Sequence, residues 1–453
     1  MSAAPELGLL GPFGDAPIAE IFSFRARIEA YLEIEVALAR AQAALGVIPS
    51  DAADAIGQAA RTLEPDEQRL RDGTRLVGYP ILPLLEQLRE VGGPLVAAYA
   101  HWGATTQDIM DTATAMQAQR GTARLERLLV GVGASLARLA VAERCTVMAG
   151  RTHAQPAVPT TFGAKVAVWL AEYARHLRRL QGARAGAGRV SLFGAGGTAA
   201  ALGPQSRETR RSLASLLGLA GSDVPRHVAR DEVVEVGMVL AGIAATGGKL
   251  GREVIELSRP EIGEVAEVAG HHRGASSTMP QKANPISSEA LVAFQIAAAS
   301  QVGGVLAATQ GTHERASGEW LVEWDLLPLL FGYAGGSLAT AGELLDGLTL
   351  DRERMAANLR LDGGTIMAEA AMIALSPIVG RGKAHDLVYA ACRRVSSDGL
   401  DLAAALEASL PPAALGKLPP LEDVLDPAAY LGEADSIVDA AVATWTEAVA
   451  TAT

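Results

Sequence analysis

From Ala290 to Thr312 the chain carries no charged side chain. A run of that length is enough to cross a bilayer. It nevertheless contains Gln295, Ser300, Gln301 and Gln310, the pair Gly303-Gly304, and no basic cluster on either flank. A helix that is apolar on every face suits the centre of a helical bundle, where neighbours bury it from all sides. We therefore expect a long, fully buried helix here, with partners long enough to enclose it.

Those partners are legible in the spacing. Residues 28–45 (IEAYLEIEVALARAQAAL) have helical periodicity and stop at Gly46 and Pro49, ordinary C-terminal signals. Leu125, Leu128, Leu129, Val132, Leu136 and Leu139 recur at three- and four-residue intervals, a stripe that continues toward Gly150. Further long patterns run from about Ala164 to Leu180 and from Asp231 to Leu257. With few strand candidates, the fold class is all-α, built on a central bundle of long helices. We expect a small N-terminal domain over 1–108, the bundle over 109–350 and a helical C-terminal domain over 351–453.

Composition narrows the function. The chain is 49% hydrophobic but only 4% aromatic, the signature of closely packed small-residue helices, and the apolar excess points to buried subunit contacts. A net charge of −12 without any long Lys/Arg run argues against a nucleic-acid surface, so an anionic substrate needs a local cationic pocket. Cys145 and Cys392 lie far apart, without metal-ligand spacing, and read as buried thiols rather than a disulfide or zinc site. Met1-Ser2-Ala3-Ala4-Pro5-Glu6 lacks a basic region followed by an apolar one, so the expected location is the cytoplasm, with no membrane partner.

The chemistry concentrates in Gly274-Ala275-Ser276-Ser277-Thr278-Met279-Pro280-Gln281-Lys282-Ala283-Asn284-Pro285, a Gly/Pro-bounded loop holding hydroxyls, a cation and an amide. Its tail reads as a helix start, with Asn284 at the N-cap and Pro285 at the first helical position. Free N–H groups there favour an anion. A serine acting as a base needs donors or a cation around its oxygen. For Ser276 the candidates are Lys282 and this helix start.

The order Ser-Ser-x-Met-Pro-x-Lys-x-Asn-Pro resembles the signature loop of the fumarase/aspartase superfamily. That resemblance implies a three-domain, all-helical homotetramer with shared active sites, needing no metal or redox cofactor. It also implies that Ser276 is the base that removes a proton next to a carboxylate. Lys282 and Asn284 match the positions that stabilise the resulting dianion, and Ala275 departs from the family's usual glycine. Gly150-Arg151-Thr152-His153-Ala154-Gln155 is similar to the Gly-Arg-Thr-His-x-Gln segment of fumarases and adenylosuccinate lyases, which makes His153 the candidate acid. His101-Trp102-Gly103-Ala104-Thr105-Thr106-Gln107-Asp108 looks like the superfamily's first conserved region, whose hydroxyls and amide grip a substrate carboxylate. Thr105, Thr106 and Gln107 take that role, although Asp108 or Thr106 also suits a helix cap. His101, Gln155, Ser277, Met279 and Arg315 complete the expected binding set.

Within the superfamily, Gly78 to Leu84, Phe193 to Gly203, and Glu314 to Trp320 continuing through Glu323-Trp324-Asp325 resemble the carboxymuconate cycloisomerases. Trp324 stands where adenylosuccinate lyases place a phosphate-binding arginine, and an indole cannot replace a guanidinium there. Cycloisomerases commonly carry an apolar or aromatic residue at the position of His153, and His and Arg at those of Gln281 and Ala283. The expected function is a cofactor-free cycloisomerase of carboxymuconate. The alternative is a C–N or C–O lyase that releases fumarate, such as an aminodicarboxylate or nitrosuccinate lyase.

Three other patterns carry less. Gly194-Ala195-Gly196-Gly197-Thr198-Ala199 fits a relaxed dinucleotide motif but lacks the acidic residue expected about twenty positions on. His271-His272 has no metal partner at helical spacing and reads as a hinge or pocket wall. Gly380 to His385 reads as a helix start, with Lys383 and His385 as further pocket candidates.

Overall fold

Apolar periodicity becomes helix along most of the chain. In a computed structural model describing residues 8–268, 270–315 and 318–451, the five longest helices are α1 (Thr106–Ala142), α2 (Phe162–Ala187), α3 (Asp231–Leu257), α4 (Ile286–Ala307) and α5 (Glu319–Gly347). Residues 1–6 and Ala316 and Ser317, quoted above, lie outside the described residues. The 28–45 pattern forms the helix Phe24–Ala44, opened by a Ser23 hydroxyl that accepts the Ala26 N–H. Arg381–Asp398 begins after Gly380, where the sequence signals a start.

The chain divides into two compact units. One comprises Met1–Leu128, Arg178–Gly247 and Ala293–Ala339. Its core joins Tyr31, Ile34, Leu38, Ile56, Leu84 and Leu88 to Ile109, Leu192 and Trp320. The other comprises Leu129–Leu177, Gly248–Val292 and Thr340–Thr453, with a core that includes Ala149, Leu359, Ile366, Leu375, Val388 and Leu406. The cuts fall within the long helices, so each of the five contributes residues to both units.

Three expectations need correction. The Leu125–Leu139 stripe does not run on to Gly150, because α1 stops at Ala142 and the chain turns into a hairpin of β1 (Val147–Thr152) and β2 (Gln155–Thr161). Val147, Val158, Thr160 and Thr161 suit a pleated strand better than a helix. The uncharged run does form α4, but only 28% of its most apolar stretch is buried within the chain, and Ile296 and Leu306 are 64% and 45% exposed. Composition records that a helix is apolar, not which molecule covers it. Cys145, expected to be buried, is exposed beyond the end of α1.

Candidate active site

The segments that carry the chemistry fall into two groups, one per unit. In the first unit, Asp108 organises the start of α1. Its carboxylate accepts the Thr105 N–H (3.0 Å), Phe193 N–H (2.9 Å) and Gly194 N–H (2.8 Å), and lies 2.8 Å from His227 Nε2. Asp108 and His227 are both buried. Burial by itself pushes the Asp108 carboxyl up, but hydrogen bonds from His227 and from the N–H groups of Phe193 and Thr105 outweigh it and hold the group below its ordinary value. The helix-cap reading of Asp108 is thus right as far as it goes, and the same carboxylate also ties down Phe193-Gly194. That loop runs into a 3₁₀ turn, Ala200–Leu202, rather than the long helix a dinucleotide motif requires.

Against this frame Arg315 donates to Thr105 Oγ1 (2.9 Å) and to the Ala195 carbonyl (3.4 Å), so two expected binding residues meet. Thr106, at the first turn of α1, is partly exposed. Gln107 is not available to substrate, since it is fully buried and its Nε2 donates to the His227 carbonyl (2.8 Å). His101 is engaged on one side of its ring, its Nδ1 lying 2.6 Å from the buried Glu35 carboxylate. Burial opposes the imidazolium, yet Glu35 more than compensates and raises the His101 pKa.

In the same cycloisomerase-like segment, Trp320, Glu323 and Trp324 serve packing and ion pairing. Arg230 donates to Glu323 (2.8 Å) and Asp111 (2.9 Å), while the Trp320 indole donates to Asp111 (3.1 Å). Trp324 meets Trp320 and Tyr79 edge-on, its indole N–H buried without a partner among the described residues.

In the second unit the signature loop is pinched at its neck and open at its tip. The Asn284 N–H donates to the Gly274 carbonyl (2.8 Å), and Ala275 and Ala283 form a single antiparallel bridge. Gly274 has φ +66°, and a Cβ there would lie 2.3 Å from the Asn284 carbonyl oxygen. Ala275 carries no positive φ, so its methyl is accommodated where the family often has glycine. At the tip, Ser276 Oγ accepts the N–H groups of Thr278 (3.3 Å) and Met279 (3.1 Å). Two donors converging on a hydroxyl oxygen favour its alkoxide. Ser277, Met279 and Lys282 are exposed, and Asn284 is half-buried.

The helix start is not the free anion site expected of it. Helix α4 begins at Ile286, which places Pro285 rather than Asn284 at the cap. Glu267 already occupies the N–H groups of Ser287 (3.2 Å) and Ser288 (2.8 Å) and accepts the Ser288 hydroxyl (2.7 Å). Ser287 Oγ in turn accepts from Arg273 (2.7 Å). Donors for Ser276 therefore come from within the loop.

His153 and Ala154 form the two-residue turn of the β1–β2 hairpin, both with positive φ (50° and 63°). Histidine enters the left-handed region more readily than most residues. His153 and Gln155 are exposed, whereas Arg151 turns inward to a two-pronged ion pair with the buried Glu264 (2.7 and 2.9 Å). His271 and His272 are exposed and meet edge-on, their ring centroids 3.9 Å apart. Lys383 and His385 are exposed, the latter stacked on Tyr389. The sequence gives no local sign of the partners Glu264, Glu267, Arg273 and His227, which are fixed by residues distant in the chain.

With this geometry in place, comparison with known proteins identifies the family. A lyase family model matches residues 15–304, and a model of the adenylosuccinate lyase C-terminus matches residues 364–441. The chain belongs to the fumarase/aspartase superfamily of lyases. It is 41% identical to 3-carboxy-cis,cis-muconate cycloisomerase of Pseudomonas aeruginosa over 95% of each chain. It is 38% identical to nitrosuccinate lyase of Streptomyces davaonensis, covering 98% of this chain and 96% of that one. The crystal structure of the 3-carboxy-cis,cis-muconate lactonizing enzyme of Pseudomonas putida superposes with a TM-score of 0.90 at 33% identity, covering 98% and 100% of the two chains. The all-α fold expected from periodicity is therefore the superfamily fold, and the protein is an enzyme of the lyase type.

Proposed function

We propose that this superfamily member is a cofactor-free cycloisomerase that interconverts 3-carboxy-cis,cis-muconate and its lactone. The likeness to the P. aeruginosa cycloisomerase over 95% of both chains carries the choice of substrate. In the lactonising direction a substrate carboxylate oxygen adds to a double bond, forming a C–O bond. The displaced electron pair moves onto the neighbouring carbon and its carboxylate, giving a dianion. Ser276 then delivers its proton to that carbon and is reprotonated from solvent. Its transient alkoxide is stabilised by the N–H groups of Thr278 and Met279. The reverse is a β-elimination with Ser276 as base. Lys282 and Asn284 hold the dianion, Thr105, Thr106 and Arg315 bind a second carboxylate, and His153 with Gln155 orients the reacting one. Trp324, packed against Trp320 and Tyr79, brings no cationic fork to a phosphate, which disfavours a nucleotide substrate.

The same reading includes a cytoplasmic homotetramer with active sites shared between subunits and the domains 1–108, 109–350 and 351–453. The apolar α4, only partly covered within the chain, supports it, since a second copy of the chain is the natural cover. A second reading, fumarate release from a substituted succinate, is favoured by the likeness to nitrosuccinate lyase and by Gln281 and Ala283 in the loop. A substrate panel decides between them. Ultraviolet loss of carboxymuconate supports the first reading, and fumarate appearing from N- or O-substituted succinates replaces it with the second.

A further inference from the structure

Glu264 and Glu267 flank the short strand β3 (Val265–Ala266), which pairs with β4 (Thr349–Leu350) through Val265 opposite Leu350 and Ala266 opposite Thr349. Backbone bonds fix the strand further, from the Glu264 N–H to the Leu257 carbonyl (2.9 Å) and from the Asp351 N–H to the Glu264 carbonyl (3.0 Å). Glu264 and Glu267 bracket this two-residue strand, and each carboxylate holds a different segment. Glu264 holds Arg151, two positions before His153, and also accepts Asn358 Nδ2 (2.8 Å). Glu267 holds Ser287 and Ser288, just beyond the signature loop, and Ser287 is tied through its hydroxyl to Arg273, immediately before the loop.

We infer that this strand is a brace for catalysis: Glu267 positions the Ser276 loop and Glu264 positions the His153 hairpin. The inference rests on the roles proposed above for Ser276 and His153, but neither carboxylate is assigned a contact with substrate. The neck of the loop is held at Arg273 and at Ser287-Ser288, while the tip from Ser276 to Lys282 is open. Glu267 is therefore the anchor that fixes where the tip stands. Its negative charge also suits the positive end of the α4 dipole, so the helix start is neutralised by the protein itself and does not compete with Lys282 for the substrate.

The test uses the full-length protein with Glu267→Gln and Glu267→Ala. Gln keeps one acceptor oxygen for the Ser288 N–H and hydroxyl, whereas Ala keeps none. On the substrate that the panel identifies, Glu267→Ala is expected to lower kcat on the order of tenfold to a hundredfold, as for a misplaced reacting group. KM should stay within about threefold, with Glu267→Gln in between. Amide exchange of the 274–290 peptide should quicken in the same order. A lower Tm with wild-type kcat and wild-type exchange in that peptide reduces Glu267 to a helix cap and overturns the inference. If the wild type turns over no substrate in the panel, the proposed function fails on its own. The exchange arm then still decides the brace: faster exchange supports it and unchanged exchange overturns it.

Discussion

Replacing Gly274 by alanine tests whether the neck geometry of the signature loop matters to catalysis. A Cβ at this position would sit 2.3 Å from the Asn284 carbonyl oxygen and 2.9 Å from its nitrogen, on a backbone with φ +66°. A left-handed alanine costs about 1–2 kcal/mol, and overpacking adds about 1–3 kcal/mol if nothing moves. The hydrogen bond from the Asn284 N–H to the Gly274 carbonyl, which holds the neck shut, contributes only about 0.5–1.5 kcal/mol. Strain exceeds what resists it, so the neck opens rather than the fold giving way. The global cost is then limited to about that one hydrogen bond plus residual strain, and Tm should fall by no more than about 4 °C. The tip, however, moves by a distance that matters, and misplacement of about 1 Å lowers rates on the order of a hundredfold. Steady-state kinetics on the substrate from the panel, with thermal unfolding on the same sample, checks both halves. Wild-type kcat in Gly274→Ala would refute the claim that the neck positions Ser276, and a fall in Tm far beyond the estimate would show that the strain spreads into the core.

Other outcomes follow from the same geometry. Lys282→Met should lower kcat by about a hundredfold to a thousandfold through lost stabilisation of the dianion, while a change in KM alone would make Lys282 a uniform binding residue. His153→Gln should retain measurable lactone formation, because a carboxylate leaving group, with pKa near 4, departs without an acid. Loss on the order of a hundredfold or more with carboxymuconate would assign His153 a proton-transfer role. Asp108 has its pKa depressed in the fold, so its contribution to stability is complete above the ordinary value of 3.8 and is lost as pH falls through the lower folded value. Urea unfolding from pH 6 down to pH 2 should show this acid limb, and Asp108→Asn, less stable at pH 6, should show less of it. An equal acid limb in the variant would remove Asp108 from the account.

What the sequence revealed follows the range of the interactions involved. The helix Asp231–Leu257 was fully legible because its determinants lie three and four residues apart. The β1–β2 hairpin was not, since His153-Ala154 lacks the glycine that marks such turns. Ser276, Lys282 and Asn284 stand out as a contiguous pattern, yet the donors at Ser276 Oγ depend on the loop's own fold, and the helix start belongs to Glu267. Gln107 and His101 show the same limit, for their partners His227 and Glu35 are 120 and 66 positions away. Apolar composition predicted α4 but not its exposure, because composition does not record which surface, if any, covers a helix.

The central claim is that Ser276, held by two backbone N–H groups at the tip of a pinned loop, moves the proton. Its most direct test is the turnover of Ser276→Ala on the substrate identified by the panel, in protein whose circular dichroism and light scattering match wild type. The hydroxyl contributes no core packing, so the account predicts unchanged fold and assembly with activity reduced at least about a thousandfold, in keeping with loss of a general acid–base group together with its oxyanion donors. A correctly folded Ser276→Ala protein that turns over at wild-type rates would contradict it.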